Sequence, residues 1–202
     1  MIKSDPAKIL IADDEEDTRQ FLLDLLTELG HKTTAVASGK EAVELAQREQ
    51  PDVILLDVMM PELSGLEVCQ LLKEQVETKD IPIIFVTAKV SVNDQILGLH
   101  KGAHDYINKP YRVTELTARL NAAIRLKRLQ DELKQRNRDF QELAGKLQTQ
   151  VCQPLEASAK LAKGLAKQNF SRHTRDSLAK IDQTIGSSLQ HLKALFDLEK
   201  KH

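Results

Sequence analysis

Between residues 8 and 109, short apolar runs alternate five times with amphipathic stretches, and this alternation constrains the fold more than any other feature of the sequence. Ile9-Leu10-Ile11-Ala12 (in the strand Lys8–Ala12), Val53-Ile54-Leu55-Leu56 and Ile83-Ile84-Phe85-Val86 are apolar on successive residues, so a strand built from any of them is hydrophobic on both faces. Thr33–Val36 and Asp105–Ile107 read as weaker strands of the same series. Strands of this kind are stable when helices cover both sides of a parallel sheet. The intervening segments meet that need. Phe21, Leu22, Leu25, Leu26 and Leu29 recur at helical spacing over 16–29, and Gly30 closes that helix. Further helices are predicted over 39–50, 66–75 and about 91–100, with a turn from Pro61 to Gly65. The expected front half is a five-stranded, doubly wound parallel α/β domain.

At 202 residues the chain has room for one such domain and an extension. Aromatic residues make up 3% and Trp is absent, so the interior is expected to be aliphatic. No apolar run approaches the length of a membrane span, and Met1–Pro6 lacks the pattern of a signal peptide. Cys69 and Cys152 fit no disulfide or metal spacing and read as small buried or helix-face residues. His31, His100, His104, His173 and His191 lack ligand spacing and read as surface or cap residues. A cytoplasmic protein is the expectation.

The net charge of −1 conceals an asymmetry. Residues 1–111 carry 11 basic and 20 acidic side chains, a balance of −9, whereas 112–202 carry 18 and 10, a balance of +8. Two modules with different partners are implied. From Val113 onward the sequence is almost wholly helix-forming. Leu126, Leu129, Leu133, Phe140, Leu143 and Leu147 step by three and four, with Arg136 as the polar member of the series. That seam predicts a coiled coil or a long bundle helix. Pro154 perturbs it, 168–173 reads as a turn, and a second helix sets Leu178, Ile181, Ile185, Leu189, Leu192, Leu195 and Phe196 on one face. A lone helical hairpin has little core, so self-association into a four-helix bundle is expected.

Asp13-Asp14, Asp57, Thr87 and Lys109 all fall at strand ends. In a parallel sheet those ends share one edge, which is where such folds place their sites. Three crowded carboxylates repel one another unless a cation neutralises them, and hard oxygen ligands suit Mg²⁺. A central aspartate can act as a nucleophile, while a Lys ammonium and a Thr hydroxyl can hold phosphoryl oxygens.

In these residues the chain resembles the receiver domain of two-component response regulators. The motifs are Asp13-Asp14, Asp57-Val58-Met59-Met60-Pro61 with Gly65, Thr87-Ala88, Gly102-Ala103 and Lys109-Pro110. The resemblance covers residues 1 to about 122 and implies a flavodoxin-like fold. It implies that Asp57 accepts a phosphoryl group from a sensor histidine kinase or phosphotransfer protein. It further implies that Asp14, Asp57 and the Met59 carbonyl ligate Mg²⁺, with Asp13 acting mainly through water. Thr87 and Lys109 would contact the phosphoryl oxygens, Tyr106 would be an aromatic switch, and the Lys109–Pro110 peptide would be cis. Such a protein is a signalling phosphoacceptor rather than an enzyme acting on a separate substrate.

Residues 123–202 hold the long helix and the hairpin. Within them, 137–199 is similar to the dimerisation and phosphotransfer hairpin of sensor histidine kinases. Leu147–Leu155 echoes the histidine box and Leu192–Glu199 the end of the second helix. Counting back from Pro154-Leu155 puts Thr149 and Gln150 where that family has its phosphoacceptor histidine and the following acid. A threonine cannot carry a phosphoramidate, so the hairpin is expected to keep the dimer architecture without phosphotransfer. The favoured reading is a homodimeric regulator with a protein–protein output. Its rivals are a constitutive scaffold, a phosphotransfer enzyme and, ranked below protein contact, a DNA-binding regulator.

Overall fold

The computed structural model describes residues 6–88, 102–166 and 171–199, with side chains in the last two stretches described for 102–165 and 171–190. The helix expected at about 91–100, with His100, lies outside the described residues. So do Gln168–Phe170 and the side chains of His191, Leu192, Leu195 and Phe196. Two compact units divide between Glu132 and Leu133.

In the first unit, β1 (Lys8–Ala12), β2 (Lys32–Val36), β3 (Val53–Leu56), β4 (Ile83–Ala88) and β5 (Asp105–Lys109) form one sheet, ordered β2-β1-β3-β4-β5. Every neighbouring pair is parallel. The described helices of this unit are α1 (Glu16–Glu28), α2 (Gly39–Glu49), α3 (Gly65–Glu74) and the beginning of α4 (Val113–Leu147). The strand alternation sorts the core into two layers. Leu10, Ile54, Leu56, Ile83 and Phe85 pack toward Ala42 and Ala46 of α2 and Val68, Cys69 and Leu72 of α3. Ile9, Ile11, Leu55, Ile84, Val86 and Ile107 pack toward Leu22 and Leu26 of α1 and Leu116, Leu120, Ala123 and Ile124 of α4. Burial on both faces is why the strand sequences are continuously apolar.

Local signals set the helix starts. Ser38 caps α2 by accepting from the Glu41 amide, and Ser64 with Glu67 forms a reciprocal capping box at α3. Gly65 begins α3 where no side chain fits: a Cβ there would stand 2.0 Å from the Asp57 carbonyl oxygen. The Lys109–Pro110 peptide is cis.

His31 departs from the surface or cap role read for it. It is buried, and its Nδ1 accepts a hydrogen bond from the Ala7 amide at 3.3 Å. Neighbours distant in sequence, Ala7 and Arg128, create that environment. His104 is exposed, in keeping with the surface reading.

In the second unit a π-helical turn over Gln148–Cys152 precedes α5 (Gln153–Ala166), which packs on α6 (Arg172–Glu199). Pro154, which has no amide hydrogen to donate, sits in the first turn of α5, and the helical path accommodates it by the wider turn before it. Cys152, Ala162 and Leu189 are buried, whereas Leu161, Leu165 and Ile181 are exposed. Arg172 and His173, read as part of a turn, are instead the first residues of α6, with Thr174 donating its amide to Ser171 Oγ at the helix start.

Candidate functional site

The carboxyl ends of β1, β3, β4 and β5 bring the expected residues to one edge of the sheet. Asp13 follows β1 directly, and its amide donates to the Val36 carbonyl at 3.2 Å. Asp57 follows β3, and its amide donates to the Ala12 carbonyl at 2.8 Å. These two bonds extend the sheet by one residue on each strand and set the two aspartates side by side. Carboxylate oxygens of Asp13, Asp14 and Asp57 all lie within 4.8 Å of one another. Asp13 and Asp57 are buried and Asp14 is exposed, so the cluster opens to solvent on one side.

Lys109 closes β5 and reaches across the cluster. Its Nζ donates to Asp13 Oδ2 at 2.7 Å and to Asp57 Oδ2 at 2.9 Å, and lies 3.9 Å from Glu15 Oε2. The remaining oxygens are also held: Asp13 Oδ1 accepts from the Glu15 amide at 3.0 Å and Asp57 Oδ1 from the Met59 amide at 3.1 Å. Burial pushes the Asp13 carboxyl above the ordinary aspartate range, and the charge of Asp57 adds to this. The bonds from Lys109 and Glu15 and the Lys109 charge pull the other way without cancelling it. At Lys109, burial opposes the charge, but the bonds to Asp13 and Asp57 and their charges prevail and its pKa is raised.

One ammonium thus faces three carboxylates. Hard oxygen donors, close spacing and an open side together fit a small divalent cation such as Mg²⁺. Asp13, Asp14 and Asp57 would hold it.

Thr87 is buried near the end of β4, where the adjacent Ala88 pairs with Lys109 in the sheet register. Its hydroxyl makes a long, 3.4 Å bond to the Ala88 carbonyl. Tyr106 is half-buried against the core layer that holds Phe85 and Ala103. The Met59 side chain is exposed beside the cluster. Two residues not singled out from the sequence also belong here. Glu15 caps the Asp13 carboxylate through its amide, and Arg19 Nη1 donates to the Asp13 carbonyl at 2.8 Å. The available signal was their spacing from Asp13, but charged residues early in an amphipathic helix ordinarily read as solvated.

Comparison with known proteins agrees with this geometry. The family model of the response regulator receiver domain matches residues 9–121, more than half of the chain. The chain belongs to the response regulator receiver family. Residues beyond 121 lie outside that match. The receiver is similar to a probable transcriptional regulator, ycf27, of Porphyridium aerugineum, with 43% identity over 118 residues, 58% of this chain and 48% of that protein. It is 41% identical over 120 residues to the response regulator MprA of Mycolicibacterium vanbaalenii, covering 59% of this chain and 51% of that one. The chain therefore spans about half the length of these relatives.

Among solved structures, the receiver resembles the receiver domain of a sensor histidine kinase from Pseudomonas aeruginosa PAO1. The TM-score is 0.55 and the identity 32%, over 59% of this chain and 98% of that one. That structure has a magnesium ion coordinated in its active site cleft. The five-stranded parallel fold and the receiver assignment are thus as the sequence implied, and the domain is a signalling phosphoacceptor. Among the described residues, no helix is long and apolar enough to cross a membrane.

Proposed function

We propose that the protein is a cytoplasmic response regulator. A partner histidine kinase or phosphotransfer protein phosphorylates it on Asp57, and it signals through a homodimeric helical output by protein contact. The observation carrying the site assignment is the Lys109 bridge between Asp13 and Asp57. In this reading an Asp57 oxygen attacks the phosphorus of the donor's phosphohistidine, the P–N bond breaks and the donor imidazole leaves with the bonding electron pair, while Lys109 and Thr87 take up the phosphoryl oxygens. Asp14, Asp57 and the Met59 carbonyl would hold Mg²⁺ directly, with Asp13 acting mainly through water, and the bound ion would supply neutralisation of the charge that develops there. Tyr106 then turns inward as Thr87 shifts, and the receiver population moves toward its active form.

The output half of the proposal rests on exposed apolar surface. Leu129, Leu133, Phe140 and Leu143 on α4 are 50%, 63%, 40% and 55% exposed. Leu161, Leu165 and Ile181 on the α5–α6 pair are exposed as well. Rows at heptad spacing on long helices are covered most simply by the same rows of a second copy. The α5–α6 pair is read as a kinase-like dimerisation hairpin that has lost its phosphoacceptor, with Thr149 in the π-helical turn at the histidine position.

Light scattering tests the output. The full chain is compared with a form ending at Glu132, each with and without Mg²⁺ and a beryllium-fluoride phosphoryl mimic. A dimer of the full chain alone supports the reading, and a monomer under every condition removes it.

A second reading, output on DNA, is favoured by the relatives named transcriptional regulators and by the +8 balance of residues 112–202. Binding to duplex DNA that weakens steeply with salt would establish it.

A further inference from the structure

We propose that Arg19 is a positioning residue for the acidic cluster: by holding the main-chain carbonyl of Asp13 it fixes the β1–α1 turn in the geometry that binds a divalent cation. The inference rests on the Mg²⁺ site of the preceding reading.

β1 ends at Ala12, which pairs with Val36 on one side and Leu56 on the other. The buried Asp13 lies one residue further on, where its amide still reaches β2 but its carbonyl has passed the ladder. Arg19, one turn into α1, turns back and donates from Nη1 to that carbonyl at 2.8 Å. Its Nη2 pairs with the Glu16 carboxylate, and its side chain is only 13% exposed.

The planar fork therefore spans two anchors. It ties the turn carrying Asp13 and Asp14 to the helix that follows, a task for which the single ammonium of lysine is poorly shaped. The bond from Arg19 goes to the main-chain carbonyl of Asp13, whereas the Asp13 carboxylate is bonded by the Lys109 ammonium and the Glu15 amide. The contribution of Arg19 is thus to place the carboxylates rather than to neutralise them. A main-chain atom beside one ligand fixes where that ligand and the next can point. Partners of this kind, one step removed from the metal, strongly affect affinity.

The test is titration of the full chain with Mg²⁺ alone, by calorimetry and by amide chemical shifts, alongside unfolding midpoints in EDTA. Arg19→Met is expected to weaken Mg²⁺ binding by about tenfold in a folded protein, with Arg19→Lys intermediate and Glu16→Gln close to wild type. A purely structural Arg19 would lower the midpoint in EDTA and leave the Mg²⁺ affinity of the folded protein unchanged, which would overturn the proposal. If Arg19→Met does not fold, Arg19→Lys decides: wild-type affinity in that variant counts against the inference and weakened affinity supports it. Absence of Mg²⁺ binding by the wild type would instead defeat the site reading on which the inference stands. Asp13→Asn provides the reference for loss of a cluster carboxylate.

Discussion

Nζ of Lys109 stands 2.9 Å from Oδ2 of Asp57, although 52 residues separate them in the chain. The same nitrogen binds Asp13, so the strand-end lysine is the local counter-ion for two buried carboxylates. Removing it leaves those charges facing each other. Lys109→Met is therefore expected to lower stability in EDTA at neutral pH by about 1–3 kcal/mol. Mg²⁺ should stabilise this variant more than it does the wild type, because the cation replaces the missing charge. Urea unfolding with and without Mg²⁺ measures both, and equal Mg²⁺ stabilisation of the two proteins would contradict the assignment.

Gly65 reads as a turn residue, and the structure gives its reason as proximity to Asp57 rather than backbone flexibility. Gly65→Ala would drive a Cβ into the Asp57 carbonyl, so it is expected to cost about 1–3 kcal/mol and to displace the phosphoacceptor. Gly164→Ala in α5 meets nothing within 4 Å, so it should stabilise that helix by about 0.5–1 kcal/mol. Thermal unfolding of the two variants should move in opposite directions.

His31 gives the receiver a pH dependence. Burial first, and then the charge of Arg128, holds its pKa below the ordinary value of 6.5. The unfolded chain thus takes up the proton before the folded one does. The stability associated with neutral His31 is complete above pH 6.5 and is lost as pH falls toward and through the lower folded value. Denaturant midpoints taken from about pH 8 to about pH 5 should fall more steeply for the wild type than for His31→Gln. Parallel curves would show that the burial has no such consequence.

The exposed seam of α4 predicts a separation of dimerisation from folding. If the proposed dimer forms through this seam, Leu133→Lys with Leu143→Lys should make the full chain monomeric in sedimentation, because each charge would have to be buried across the interface, and a dimer that survives both substitutions would remove the seam from the proposal. The first unit should unfold at an unchanged midpoint, since neither residue belongs to its core.

The sequence made the sheet legible because its strands are buried on both sides, which leaves a continuous apolar signature in Ile9–Ala12, Val53–Leu56 and Ile83–Val86. The cluster was legible because strand ends in a parallel sheet share one edge: Asp13 and Asp57 follow the adjacent strands β1 and β3, and Lys109, at the same edge on β5, reaches them with its long side chain. Features made by single side chains reaching across the fold were not legible. Arg19 looks like a solvated charge until its bond to the Asp13 carbonyl is seen. His31 follows Gly30 like a cap residue, yet its environment comes from Ala7 and Arg128. Lys73 is similar: its ammonium donates to the carbonyls of Lys79 and Ile81 and ties down the entry to β4, which helical periodicity does not reveal. At Pro154 the sequence signalled a perturbation, but its form as a π-helical turn emerged only from the backbone.

Asp57 is proposed to accept the phosphoryl group in an Mg²⁺-dependent reaction. Intact-mass spectrometry of the full chain after incubation with a small-molecule phosphodonor tests it most directly. The predicted result is a single phosphoryl adduct that maps to Asp57, requires Mg²⁺ and is absent from Asp57→Asn. An adduct of equal stoichiometry on Asp57→Asn, or none on the wild type with donor and Mg²⁺ in excess, would contradict the account.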